Sequence, residues 1–242
     1  MRVAIVTGAS RGLGEALVTE LLADSWHVVG VARSPSPRAA DERYRFVRCD
    51  LGQIAELAGA LRPTLDAIAA TRPLTVCLIN NAATIDGVGV LGAQESADIA
   101  TSIAVNLVAP TVLANLFCTV FADDTMDRRI INVSSGAADS TLTGESLYCI
   151  AKAGLEMLTR SLAAEHASER FRAITVRPGI IDTAMQTFAR SQTKEKLPSV
   201  DLFMDFHASG NLVPPAVVAR KIVARLVIAP VDQGRTYRYA EL

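Results

Sequence analysis

The sequence predicts a single α/β domain built on a doubly wound parallel sheet, and three observations carry that expectation. Short β-branched runs alternate with longer amphipathic segments, a glycine-rich turn follows the first run directly, and no repeat, low-complexity tract or linker divides the 242 residues. Parallel neighbours cannot be joined by hairpins, so helices between the strands imply right-handed crossovers and a buried sheet. Half of the residues are hydrophobic and 20% are charged, which fills a large core.

The elements follow in order. Val3–Val6 reads as a first strand and Gly12–Ala23 as a helix, followed by strands at His27–Val31 and Tyr44–Val47. The Ala-rich stretch from Gln53 to Thr71 is helical, with Pro63 marking a break or a new start. Val76–Ile79 is a fourth strand, and a long helix from Ser96 to Phe121 carries a kink at Pro110. Arg129–Val133 is a fifth strand, Leu147–Ala167 a helix and Ile174–Val176 a sixth strand. Residues 184–213 lose periodicity, and Phe188, Leu202, Phe203, Met204 and Phe206 stand there in a polar background. That stretch fits a lid over an apolar substrate, or equally a helix packing into the core or a partner subunit. Pro214-Pro215 opens a last helix to Ile228, and Arg235–Tyr239 forms a final short strand.

Composition excludes several function classes. A net charge of −1 gives no electrostatic reason to bind nucleic acid or an anionic membrane. Cys49, Cys77, Cys118 and Cys149 are scattered without a C-x-x-C, which fits reduced thiols in the cytoplasm. His27, His166 and His207 are far apart, so no metal site is expected, and Lys194 and Lys196 read as a solvated loop. The chain runs from Met1-Arg2 straight into a short strand, with no secretory apolar region and no uninterrupted membrane-length run.

Three stretches carry chemistry. The first strand ends in Thr7-Gly8-Ala9-Ser10-Arg11-Gly12-Leu13-Gly14, where glycines let backbone N–H groups and a helix N-terminus approach a pyrophosphate. The spacing is G-x-x-x-G-x-G, and such a turn also arises for purely steric reasons. The second strand's tail reads Val31-Ala32-Arg33-Ser34, without the acidic residue that holds an NAD ribose about 20 residues past the glycines. Arg33, with Arg11 on the other side, suits a 2′-phosphate, so NADP(H) is the expected cofactor. Tyr148 and Lys152 stand at i and i+4 of a helix and project from one face. A neighbouring ammonium, helped by the positive nicotinamide ring of the oxidised cofactor, is expected to move the phenol pKa from about 10 toward neutrality. Ser134 and Ser135 end the fifth strand, and strand alternation aims one of them into the cleft.

Taken in order, Thr7–Gly14, Asp50, Asn80-Asn81-Ala82, Asn106, Ser135, Tyr148 with Lys152, and Pro178-Gly179 resemble the short-chain dehydrogenase/reductase family over nearly the whole chain. The resemblance implies a Rossmann-type fold and a carbonyl/alcohol oxidoreductase that is a homodimer or homotetramer. It makes Asn106, Ser135, Tyr148 and Lys152 the catalytic set, Asn106 anchoring a water that relays protons to Lys152. It implies that Gly8, Ser10, Arg11, Gly12, Leu13 and Gly14 cradle the cofactor, with Arg33 beside them and Asp50 and Leu51 at the adenine. Asn80, Asn81 and Ala82 would line it, Tyr148 and Lys152 would touch it, and Pro178, Gly179, Ile181 and Thr183 would receive the carboxamide. One departure is Ala83, where the family usually has glycine.

Within the family, Tyr148-Cys149, the run from Pro178 to Gln186 and Gly234–Tyr237 are similar to sepiapterin reductases and bacterial benzil reductases. Sepiapterin reductases hold their pterin with an aspartate near the C-terminus, and Arg238 falls at that position here. The resemblance therefore favours a diketone or aromatic carbonyl over a pterin. A non-catalytic NADP(H)-sensing regulator is the other class, but it has no need of all four catalytic side chains.

Overall fold

The computed structural model describes residues 1–35 and 40–242. Seven strands form one parallel sheet in the order β3-β2-β1-β4-β5-β6-β7. They are β1 (Arg2–Thr7), β2 (His27–Ala32), β3 (Tyr44–Arg48), β4 (Thr75–Asn80), β5 (Asp127–Val133), β6 (Phe171–Arg177) and β7 (Thr236–Arg238). Between them run α1 (Gly12–Ala23), α2 (Ile54–Ala70), α3 (Ser96–Ile103), α4 (Ala109–Val120) and α5 (Ser146–Glu165). After β6 come α6 (Ala184–Arg190), α7 (Val200–Ala208) and α8 (Pro215–Ile222).

Strand alternation divides the core between the two faces of the sheet. Ala4 and Val6 join Leu17, Leu21, Trp26 and Ile222 on one side, whereas Ile5 joins Leu57, Leu61, Phe117 and Phe121 on the other. Each such buried side chain contributes about 1.5–3 kcal/mol. A third, smaller cluster of Ile85, Ala189, Leu197, Val200 and Phe203 packs against Tyr148 and Met185.

Four sequence expectations change. Pro63 does not break α2, which runs 17 residues through it. Pro63 and Gly59, whose carbonyl loses its helical N–H, both face solvent, so water can satisfy the orphaned group. The irregularity expected at Pro110 lies just before it, where Ala104–Val108 is a π-turn closed by Ala109 N–H to the Ala104 carbonyl. Pro110 has no N–H for the Asn106 carbonyl four residues back, so the helix widens there instead of kinking. Residues 184–213, aperiodic in sequence, contain two short helices, α6 and α7. The last helix also ends its α-helical part at Ile222 and continues as a π-turn over Val223–Ile228.

Ser96–Val120 is long and apolar enough, by length and composition, to cross a membrane. In this fold it is a core helix, burying Ala109, Leu113, Ala114, Leu116 and Phe117.

Candidate active site

The strand order reverses between β1 and β4, and the crevice at such a switch point lies outside the carboxyl ends of the strands. The glycine loop sits there. Gly8 has φ +68°, and its N–H donates to the Val31 carbonyl at 2.9 Å, which ties the loop to the end of β2. Gly14 cannot carry a side chain, because a Cβ would stand 2.1 Å from the Gly8 carbonyl oxygen and 2.6 Å from Asn81 Nδ2. The start of α1 is thereby pressed onto the loop, with its unsatisfied N–H groups toward the crevice. Leu13 is buried in the core, so its backbone N–H is the part left to face a ligand.

The other residues of the expected nucleotide site gather around this loop. Asn81 donates from Nδ2 to the Thr7 carbonyl at 2.9 Å, and the Asn81 and Ala82 N–H groups both bond Thr7 Oγ1 at 3.0 Å. Asn80 is buried and donates to Asn132 Oδ1 at 2.8 Å, joining β4 to β5. Thr183 faces the loop: a Cβ on Gly12 would lie 3.5 Å from its Cγ2. The segment before Thr183 is pinned by Asp182 N–H to the Val213 carbonyl at 3.0 Å and Val213 N–H to the Ile180 carbonyl at 2.9 Å. Pro178 is buried, and Gly179, at φ +78°, lies against the Tyr239 ring. Asp50 is exposed and accepts from Gly52 N–H at 2.9 Å, whereas Leu51 is buried with the α2-side core. Arg11 and Arg33 are both exposed, and neither makes an ion pair with another described residue. Ala83 does not have a positive φ, so alanine there carries no backbone strain.

Ser134 and Ser135 separate as strand alternation requires. Ser134 is buried and donates to Glu156 Oε1 at 2.9 Å. Ser135 turns the other way, caps the short helical turn Gly136–Ala138 by accepting from Ala137 N–H at 3.2 Å, and lies on the side of the Tyr148 phenol, whose pKa it lowers. Lys152, 2% exposed, donates from Nζ to the Val133 carbonyl at 2.8 Å and stands 5.4 Å from the centre of the Tyr148 ring.

Burial pushes the Tyr148 phenol up from its ordinary value, Glu145 adds to that, and Ser135 pulls the other way. Lys152 is pushed down to about 8 by burial, so it remains cationic at neutral pH. A protonated phenol beside a cation is a proton donor held ready for an oxygen that gains negative charge.

Asn106 is buried, but its side chain is committed: Oδ1 accepts from Thr84 N–H at 2.9 Å and Nδ2 donates to the Thr84 carbonyl at 2.8 Å. What it presents is its main-chain carbonyl, deprived of an α-helical donor by Pro110.

Sequence reasoning missed the supports. A buried chain runs from Asn132 Nδ2 to Thr159 Oγ1 at 2.8 Å and on to Thr175 Oγ1 at 2.7 Å, joining β5, α5 and β6. Glu156 takes a bidentate pair from Arg177 at 2.7 and 2.9 Å, and Arg177 also bonds Asp139. Glu145, only 4% exposed, was missed as well. These partners stand 16 to 27 residues apart in pairs such as Thr159–Thr175 and Asn132–Thr159, beyond any helix or strand period. Arg238 is exposed, with its guanidinium 3.9 Å from Asp139.

Residues 2–194 match the family model described as short chain dehydrogenase. A benzil reductase ((S)-benzoin forming) of Bacillus cereus is 32% identical over 249 residues, covering 100% of both chains. A sepiapterin reductase of Meriones unguiculatus is 33% identical over 238 residues, covering 91% of this chain and 89% of its own. Among solved structures, the KRED1-Pglu enzyme superposes with a TM-score of 0.84 at 25% identity, covering 98% of this chain and 100% of its own.

Proposed function

The chain belongs to the short-chain dehydrogenase family, an oxidoreductase family that works with a nicotinamide cofactor, and from that premise we propose an NADPH-dependent reductase of diketones or aromatic ketones. The observation that carries this reading is the Tyr148 phenol, with Ser135 beside it and Lys152 behind its ring, at the strand ends where the glycine loop lies.

The residues fit a dinucleotide. The space that any side chain on Gly14 would fill is closed, which brings the loop and helix backbone to the surface of the crevice. Backbone N–H groups of Gly8, Ser10, Gly12, Leu13 and Gly14 would hold the pyrophosphate, and the two exposed guanidiniums of Arg11 and Arg33 the 2′-phosphate. Asp50 and Leu51 would border the adenine, Asn80, Asn81 and Ala82 the middle of the site, and Pro178, Gly179, Ile181 and Thr183 the carboxamide. When bound, NADPH supplies the hydride.

Tyr148 donates its phenolic proton to the carbonyl oxygen as that oxygen gains charge, and Ser135 holds the same oxygen. Lys152, anchored on the Val133 carbonyl, stabilises the phenolate that remains. The Asn106 carbonyl accepts from a water that returns a proton toward Lys152 and Tyr148.

Helices α6 and α7, packed over Tyr148 through Leu197 and Phe203, act as the substrate-side cover. Val108, Ile150 and Met157, exposed on the helices that follow β4 and β5, supply apolar surface for a homodimer or homotetramer. All four cysteines are free, consistent with the cytoplasm.

A pterin's guanidine-like edge needs an acceptor, and Arg238 offers a donor, exposed beside Asp139. A guanidinium gives such an edge no acceptor, whereas a diketone brings only acceptors. Benzil is therefore expected to be reduced with kcat/KM at least about tenfold above sepiapterin. Steady-state kinetics with both substrates checks this, and equal or better efficiency with sepiapterin would return the chain to the pterin branch.

A further inference from the structure

Beside Tyr148, the loop after β4, helix α3 and the start of α5 border a narrow crevice lined by Ile85, Val88, Ser102, Glu145 and Tyr148 among others. Glu145 is the unusual member. As a residue it is 4% exposed, and its carboxyl opens only onto this crevice, accepts no hydrogen bond from a described residue, and makes none to the N–H groups of the helix it precedes. The chain around it explains the burial. Gly144, at φ +92°, lets Pro198 and Leu197 pack where a Cβ would come within 2.9 and 3.1 Å of them, and the Gly144 carbonyl accepts from Gly89 N–H at 2.8 Å. The cover from α6–α7 and the loop after β4 thus close over the carboxyl from two sides.

A buried carboxyl without a partner costs stability, so its retention at a crevice shared with the reacting phenol points to a ligand group that completes it. We propose that Glu145 is a specificity residue that donates, in its acid form, a hydrogen bond to the second carbonyl oxygen of a 1,2-dicarbonyl substrate whose first carbonyl is held by Tyr148 and Ser135. This rests on the carbonyl-reductase reading and narrows it to substrates with two adjacent carbonyls. Such a substrate presents two acceptors and no donor, and a pair of hydroxyl donors, phenol and carboxylic acid, satisfies both.

The surroundings keep the acid form. Burial pushes Glu145 up to about 7, and the crevice lining contains no lysine, arginine or histidine to oppose that. The other ionisable residues lining the crevice are Asp86 on the loop after β4 and Tyr148 on α5. Both ionise to anions, so neither stabilises the carboxylate. Lys152 is turned to the Val133 carbonyl. The donor is therefore present below about pH 7 and is lost as the pH rises through that value.

Benzil and deoxybenzoin, the same skeleton with one carbonyl, distinguish this from a merely structural role. For the wild type, kcat/KM for benzil should fall about tenfold between pH 6 and pH 8.5 relative to deoxybenzoin, the worth of one hydrogen bond. Glu145→Gln keeps a donor and does not titrate, so the benzil/deoxybenzoin ratio should stay high and become flat with pH. Glu145→Leu should lower that ratio about tenfold at pH 6. A ratio independent of pH in the wild type and unchanged in Glu145→Leu, with both ketones still reduced, overturns the role of Glu145 and leaves the reductase reading intact. A benzil efficiency that rises through pH 7, or a preference for sepiapterin that grows as Glu145 ionises, assigns the carboxylate to a donor-bearing substrate and overturns it too. No reduction of either ketone by the wild type removes both readings together.

Discussion

Replacing Tyr148 with phenylalanine is expected to lower kcat for ketone reduction by about 10²–10⁴-fold while NADPH still binds. The ring keeps its place against Leu197, Val200 and Phe203, because the variant loses one oxygen and no packing volume. What disappears is the proton that the carbonyl oxygen requires. Steady-state kinetics with benzil, together with fluorescence titration of NADPH, separates the two effects. Unchanged turnover in a folded variant would remove Tyr148 from the chemistry.

The largest effect expected on binding comes from Arg11→Ala combined with Arg33→Ala. Each guanidinium can make charge-assisted contacts to a 2′-phosphate, and losing one weakens affinity by about ten- to hundredfold. NADH, which lacks that phosphate, should bind the double variant about as well as it binds the wild type. The two arginines are placed for such contacts: Arg33 follows β2, whose Val31 carbonyl is bonded to Gly8, and Arg11 precedes the first residue of α1. Neither is tied to another described charge, so no ion pair must break first. Equal losses for NADPH and NADH, measured by calorimetric titration, would mean that the arginines do not read the 2′-phosphate.

What could be read from the sequence was local. The glycine loop lies within eight residues, and the Tyr148/Lys152 pair depends only on the helix period. Strand alternation separated Ser134 from Ser135 without saying which enters the cleft, and the structure turns Ser135 to the phenol. The parallel sheet follows from right-handed crossovers, whereas the order of its seven strands is set by packing between distant segments. One expectation failed where solvent decides the outcome: Pro63 is tolerated because it faces water. Glu145 and the Glu156–Arg177 pair were invisible because nothing in a helix period marks a carboxyl that a distant segment will cover. The Asn106 side chain is taken up by Thr84, a contact between segments 22 residues apart that no local period marks.

The central claim, that this chain moves hydride from NADPH to a ketone with Tyr148 as proton donor, is tested most directly by following an isotope. The purified enzyme is given benzil with NADPH carrying deuterium at one or the other face of nicotinamide C4, and the benzoin product is examined by mass spectrometry and NMR. The expected result is deuterium on the carbinol carbon from one face only, with one NADPH consumed per benzoin and hardly any product from Tyr148→Phe. Benzoin without deuterium from either cofactor, or equal deuterium transfer by Tyr148→Phe, would contradict the account.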